Sequence, residues 1–441
     1  MIPTRGRPGR LSRAACGLLV AVLAAALSAC STGAAGSGPP GTITLSFLSY
    51  NFGTADLGGQ GTQELIDTFE RANPSIKIAP QGVAVKDTLT KARASAAGGV
   101  PFDVAQVGWS KMAEAYQTLP VVPVQQIPSP QEWQSTIAGF NQTVLRATER
   151  NVVVTAMPYT MSIPTLFYND ALFAKAGLDP QRPPRTFAEV QADALAVRRA
   201  GAQGVYVDVA NASKSDFLTQ SLVDSNGGAL LSPSGQITLD APPAVGALAA
   251  MADLTRSGAQ PAVSGDDALA AFKAGNLGML LTSTAVLAGL DKAAQGKFTV
   301  RAAAFPGFGT LPPRPTYSGA GLVVLSKDKA KQQAAWRFVQ FLTSAQAFTI
   351  ITSKIGYLPL RPETVTDPRY LADYFAKDPR LLPALHQLDT LTPYTFFPGP
   401  KANQAVVALQ DDAVAPIVLR GADPQQTLTQ VAGKIRGLVG P

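Results

Sequence analysis

Side chains able to act as nucleophile, general base or metal ligand are scarce in this chain. Its 441 residues include one histidine, His386, and two cysteines, Cys16 and Cys30. A Ser-His-Asp triad, a Cys-His pair or a zinc cage of imidazoles and thiolates needs more of these groups than are present. His386 sits in Leu385-His386-Gln387-Leu388 and reads as a packed or surface residue. Ser326-Lys327-Asp328-Lys329 matches the S-x-x-K pattern of acylating serine enzymes, but no S-D-N or K-T-G partner accompanies it; Ser326 reads instead as a cap for the helix that follows. Gly58-Gly59-Gln60-Gly61 and Gly319-Ala320-Gly321 lack the spacing of a nucleotide-phosphate loop. Paired carboxylates remain open, yet nothing singles out two at the ~5–9 Å separation that glycoside hydrolysis uses.

The two cysteines point elsewhere. Arg5, Arg7, Arg10 and Arg13 precede an apolar run from Ala14 to Leu27 that ends in Leu27-Ser28-Ala29-Cys30. This is the layout of a secretory signal, too short for the ~20 apolar residues of a bilayer span. Its last four residues look like a bacterial lipobox, in which the cysteine is acylated and becomes the first mature residue. Residues 1–29 are expected to be removed, taking Cys16 with them and leaving Cys30 as lipid anchor. The stretch 30–40, rich in Ser, Gly and Pro, reads as a flexible tether. The formal net charge of +7 falls to +3 once the four leader arginines are set aside, so nucleic acid is not an expected partner. Removal of Cys16 also leaves no intramolecular disulfide, and the fold must hold by its core.

That core is feasible. The chain is about three times a ~150-residue domain, so two or more lobes are expected. Hydrophobic residues make up 46% and charged residues 15%, which excludes a disordered or coiled-coil chain. Short β-rich runs alternate with helical segments, predicting an α/β protein with mainly parallel sheets. Strands are predicted at Ile43–Leu48, Ile76–Ile78, Val104–Val107, Leu166–Tyr168, Gly278–Leu281 and Leu322–Leu325. Helices are predicted at Gln63–Arg71, Thr88–Ala97, Phe187–Arg199, Asp266–Ala274 (capped by Asp266 and stopped at Gly275) and Lys329–Thr343.

Several segments, in order, resemble the cluster-1 extracellular solute-binding proteins of ABC transporters, which share the maltose-binding-protein fold. They are Phe69-Glu70-Arg71-Ala72-Asn73-Pro74, Gly98-Gly99-Val100-Pro101-Phe102-Asp103, Met157-Pro158-Tyr159 with Leu166-Phe167-Tyr168-Asn169, Ala176-Gly177-Leu178 and Asn226-Gly227-Gly228. Ala271-Phe272-Lys273-Ala274-Gly275, Ala335-Trp336-Arg337-Phe338 and Gly356-Tyr357-Leu358-Pro359 continue the series. The resemblance implies a two-lobe periplasmic-binding-protein fold with three hinge crossings, near Tyr159, near Lys297 and at Ser344 to Thr352. Lobe I would comprise 41–160 and 298–350, and lobe II 161–297 and 351–441, with the ligand in the central cleft. It also implies a non-enzymatic, monomeric receptor without cofactor, held outside the cell membrane, which captures a small carbohydrate and delivers it to an ABC permease. The rivals are a lipid-anchored glycoside hydrolase, a glycerophosphodiester-binding protein of the same fold, and a surface lipoprotein that binds a macromolecular partner.

A sugar presents an apolar ring face and a rim of hydroxyls, so aromatic platforms and short polar groups are the candidates for its pocket. By their position past strand ends or in the family's motifs these are Tyr50, Asn51, Trp109, Ser162, Asp216, Phe217, Ser283, Gly319, Tyr357 and Asn403; Thr284, Gly321 and Lys401 lie beside them. Asp103 reads as structural. The sequence departs from its relatives in carrying Lys86-Asp87-Thr88 where many have an aromatic, and Thr282-Ser283-Thr284-Ala285 where sugar binders often have Trp. These departures favour a smaller or more polar ligand than a maltodextrin. Asp87, if it faces the cleft, would favour a ligand with an ammonium group such as an amino sugar.

Overall fold

Strands rich in Val, Ile and Leu form the centres of two sheets, and helices cover them, so most strand residues are buried on both faces. A computed structural model describes residues 41–53 and 58–440. The arginine-rich leader, the Leu27-Ser28-Ala29-Cys30 site and the tether at 31–40 lie outside the described residues. The strands are β1 (Ile43–Ser49), β2 (Ile76–Gly82), β3 (Val104–Gly108), β4 (Glu149–Arg150), β5 (Val153–Val154), β6 (Met157–Ser162), β7 (Pro164–Asn169), β8 (Gln203–Val207), β9 (Leu277–Ser283), β10 (Val300–Ala303) and β11 (Ser318–Val324). A five-stranded sheet runs β2-β1-β3-β11-β6, a four-stranded sheet runs β10-β7-β9-β8, and β4–β5 form a small hairpin. The two large sheets are the centres of the two lobes.

The expected α/β, two-lobe architecture is present, but the sheets are mixed rather than mainly parallel. β1 pairs with β3 and β8 with β9 in parallel; β11 is antiparallel to β3 and β6, and β7 is antiparallel to β9 and β10. The cause lies in the lobe crossings. A strand arriving from the other lobe enters its sheet from the cleft end, without the crossover helix that makes neighbours parallel. β7 and β11 are the two strands that do so.

The crossings themselves differ from expectation. The first is the single residue Ile163, between β6 in one sheet and β7 in the other. The second is not near Lys297, because β10 still pairs with β7; the chain returns between Ala303 and Ser318. Nor does the third lie at Ser344 to Thr352, since Ala345–Ile350 and Ile351–Ile355 pack on the first-lobe helix Gly59–Ala72. Ile351–Ile355 also touches the second-lobe helix Leu287–Ala294, but Arg361 still donates to the first-lobe carbonyls of Thr136, Ala138 and Thr343, and packing on the second-lobe sheet begins at Pro379–Leu381, against β10.

Local signals explain the helices. Phe187–Arg199 starts with a full capping box between Thr186 and Glu189. Two caps differ from the predicted ones: Ser264 rather than Asp266 caps Gly265–Lys273, and Asp328 rather than Ser326 caps Lys329–Leu342. Both true caps have extended backbone and a side-chain oxygen that accepts an N–H three residues on. Lys329–Leu342 buries Phe338 between Phe47 and Phe69, with ring centroids 5.3 and 5.0 Å away.

Asp103 has the structural part expected of it. Its Oδ2 accepts the Ser46 amide at 2.9 Å and the Ser46 hydroxyl at 3.0 Å, and Lys331 Nζ lies 3.1 Å away, so one buried carboxylate joins β1, the entry to β3 and a covering helix. Truncating it leaves these donors without an acceptor. Asp103→Ala is expected to cost about 2–4 kcal/mol in denaturant unfolding; a loss below about 0.5 kcal/mol, the size of a neutral surface change, would contradict this account.

Candidate functional site

The cleft forms where the carboxyl ends of β1, β3, β6, β8 and β9 face one another. Ser162 at the end of β6 pairs with Ser318 at the start of β11, and Pro164, two residues on, pairs with Ser283 at the end of β9. Hydroxyls from both sheets therefore converge on the Ile163 crossing. A cavity of about 630 Å³ opens beside them, with walls from both lobes.

The first-lobe wall is aromatic. Tyr50 follows β1, Trp109 follows β3, and Tyr357 is set beside β6 because the Leu358 amide donates to the Met161 carbonyl at 2.8 Å. Trp109 packs edge-on against Tyr317 at 6.1 Å. Burial, the dominant cause, holds the Tyr50 and Tyr357 phenols above their ordinary value, so both are neutral hydrogen-bonding groups. Gly319 also lines the cavity; its φ is +128°, and a Cβ there would lie 2.0 Å from the Thr160 carbonyl oxygen, so only glycine fits.

The second-lobe wall is mixed, with hydroxyl, amide and carboxylate groups set among Leu269, Leu280 and Val286. Phe217 supplies an aromatic edge, and Ser283 stands beside Asp208 and Thr282. The loop after β8 is shaped from within: Asn211 Nδ2 donates to the Ser215 carbonyl at 2.9 Å, its Oδ1 accepts the Ser215 amide at 3.1 Å, and Lys214 pairs with Asp411 at 2.6 Å. Asp208 accepts the Thr282 hydroxyl at 2.9 Å. Burial pushes its carboxyl up to about 7; the Thr282 bond opposes the rise and Asp266 adds to it.

Seven of the expected residues thus line one cavity: Tyr50, Trp109, Ser162, Phe217, Ser283, Gly319 and Tyr357. Four do not. Asn51 is consumed within the first lobe, donating to Thr62 Oγ1 at 3.0 Å and accepting from Gln106 at 3.3 Å. Asp87 is exposed at the start of Thr88–Ala97, and its neighbour Lys86 lines the cavity instead, reversing the sign of the charge expected there. Asp216 is buried and held by the Tyr394 hydroxyl and Gln220. Asn403 gives its amide to Glu114 at 3.1 Å, in the contact between the lobes. Of the adjacent candidates, Thr284 is buried outside the lining, Gly321 backs onto Met112, and Lys401 is exposed.

Asp208, Asn211, Ser213 and Asp266 line the cavity without having been expected. The first three follow β8, a strand the sequence reading passed over. The run Gln203-Gly204-Val205-Tyr206-Val207 carried the signal, because a β-branched and aromatic stretch ending in Asp marks a strand end. Behind this wall the helix Phe217–Ser225 is buried along its whole length. Its polar groups bind other segments: Ser221 Oγ accepts the Thr316 amide at 3.0 Å, Ser225 Oγ the Arg314 amide at 2.8 Å, and Gln220 exchanges two bonds with the Thr395 backbone.

The raised Asp208 carboxyl sets a sign for stability. A folded-state value above that of the unfolded chain means the native protein binds more protons between roughly pH 4 and 7, so stability declines as pH rises through that window. Asp208→Asn is expected to flatten the decline in unfolding free energy between pH 5 and pH 8, by on the order of 1–2 kcal/mol in denaturant titrations. Some slope should persist, because burial also pushes Asp224 up to about 7. An unchanged profile would contradict the assignment.

The chain matches the family model described as bacterial extracellular solute-binding protein over residues 55–347. The sn-glycerol-3-phosphate-binding periplasmic protein UgpB of Yersinia pestis is 24% identical over 321 residues, covering 68% of this chain and 71% of that protein. Many solved structures share the fold. UgpB of Mycobacterium tuberculosis in complex with glycerophosphocholine has a TM-score of 0.78 at 23% identity, over 91% of this chain and 98% of its own. The cyclic alpha-maltosyl-1,6-maltose binding protein of Arthrobacter globiformis has a TM-score of 0.73 at 21% identity, over 90% and 99%. With two lobes, a shared cavity and a family match across most of its length, this chain belongs to the bacterial extracellular solute-binding proteins.

Proposed function

We propose that this protein is a non-enzymatic receptor that captures a small, polar carbohydrate between its lobes and hands it to an ABC permease. The observation that carries the reading is the division of the cavity walls: Tyr50, Trp109 and Tyr357 on one side offer apolar faces, and hydroxyl and amide groups on the other offer hydrogen bonds. The walls also carry both signs of charge in rough balance, Lys86 and Lys273 against Asp266 and an Asp208 carboxyl that is partly ionised near neutral pH, which suits a neutral ligand. This balance replaces the expected preference for an amino sugar, which rested on Asp87. A zwitterionic glycerophosphodiester satisfies the same balance, and the M. tuberculosis neighbour was solved with one.

Capture requires differential affinity: a ligand touching both walls stabilises the arrangement in which the lobes meet. Trp109 lines the cavity, whereas Trp133 and Trp336 pack on each other at 5.9 Å. Titration with a panel of neutral, amino and phosphorylated sugars and glycerophosphocholine should therefore change tryptophan emission, and Trp109→Phe should remove most of the change. Phe217→Ala is expected to weaken the best ligand by tenfold or more, the scale of an aromatic hot spot. No response to any of the panel, or equal affinity in Phe217→Ala, would overturn the reading. Hydrolysed sugar after prolonged incubation would favour the glycoside hydrolase instead.

The Leu27-Ser28-Ala29-Cys30 site supports attachment to the outer face of the cell membrane through Cys30. No helix among the described residues is long and apolar enough to cross a membrane. Cys30→Ser is expected to move the protein from the membrane fraction to the soluble fraction and to abolish labelling by a fatty-acid analogue. Retained labelling would exclude Cys30 as the anchor.

A further inference from the structure

Outside the cavity the lobes meet where the first-lobe helix Trp109–Thr118 packs on Ala402–Ala408, a second-lobe helix that in turn packs on Pro424–Val439. Lys111 and Glu114 stand one turn apart on this first-lobe helix, both 3% exposed. Glu114 is fully engaged: Oε1 accepts Arg93 at 2.7 Å and Oε2 accepts the Asn403 amide across the contact. Lys111 is not. Its ammonium has one long contact, to Ser110 Oγ at 3.5 Å, and no carboxylate within ion-pair distance among the described residues. The charges whose field reaches it are Asp216 from the second lobe and Asp87 from the first. Asp216 is already occupied by Tyr394 and Gln220, and Glu114 by Arg93.

An ammonium taken out of water without a close partner is costly to hold. Lys111, one turn before Glu114 on the helix face that meets Asn403, bears that cost where the two lobes are together. We propose that Lys111 is a brake on lobe closure: its ammonium is hydrated when the lobes are apart and stripped of water when they meet, so the empty protein resists closing. The proposal rests on the capture reading, in which the lobes separate and rejoin around a ligand. Burial pushes the ammonium down to about 8, in keeping with the geometry. A lysine lowered in this way loses its proton more readily in the closed form, so closure becomes easier as pH rises above about 8.

Hydrogen exchange of the ligand-free full chain tests this without a known ligand. The readout is amide protection, corrected for intrinsic rate, in Trp109–Thr118 and Ala402–Ala408. Lys111→Met removes the charge and keeps the apolar stem; Lys111→Arg keeps a charge that cannot be shed. The brake predicts on the order of tenfold more protection in the Met variant at pH 7. It predicts less protection in the Arg variant than in the wild type at pH 9.5, and a rise between pH 7 and pH 9.5 in the wild type alone. Changes in the same direction in both variants, as disturbed packing would give, or no change in either, would overturn the brake while leaving capture intact. Protection equal to that of global unfolding in all three proteins would remove lobe opening itself, and both readings with it.

Discussion

The single residue Ile163 fixes the distance between the lobes. β6 and β7 are buried throughout and paired into different sheets, so their ends cannot drift, and one residue spans only about 3.5 Å. Any turning of the lobes would pivot about this point, and they cannot move apart at it. The serines that open into the cavity are held within a residue or two of the pivot, where rotation displaces them least. The aromatic and acidic groups on the opposing walls follow other strands, and a rotation would carry them further. Such an arrangement keeps one part of a pocket constant while the rest changes shape.

Two sets of buried polar groups hold the lobes in shape rather than face the cavity. Asn51, Ser49 and Gln106 satisfy one another inside the first lobe, and Asp216, Tyr394 and Gln220 do so inside the second. A polar group without water needs a partner, and these networks supply it. They also remove side chains from use by a ligand. Asn51 and Asp216 belong to this structural set although they sit beside Tyr50 and Phe217, which face the cavity.

Much of the architecture was legible in the residues. Short apolar runs located six strands, periodicity located five helices, and the positions of Tyr50, Trp109, Phe217 and Tyr357 after strands or in family motifs led to the cavity. What remained hidden has physical causes. Strand direction depends on which lobe a strand arrives from, and no local pattern records that. Whether Asn51 or Asp216 faces a ligand depends on Thr62, Gln106 and Tyr394, which are remote in sequence or unremarkable in type. Asp87 and Lys86 are adjacent, and the turn between a strand and a helix decides which of them points inward; composition cannot. β8 was missed because Gly204 interrupts its pattern, yet that glycine is required: a Cβ there would lie 2.4 Å from the Ala259 carbonyl oxygen.

The wholly buried helix Phe217–Ser225 bears on how the chain acquires its structure. Its serines and glutamine are satisfied by backbone at 314–316 and 395, about 90 and 175 residues further on. A helix buried on every side cannot be left with these groups unpaired, and contacts so distant in sequence form slowly. During synthesis the second-lobe wall therefore stays unfinished until residue 395 has emerged. The helix and the wall it backs are thus completed late, by segments made long after the helix itself.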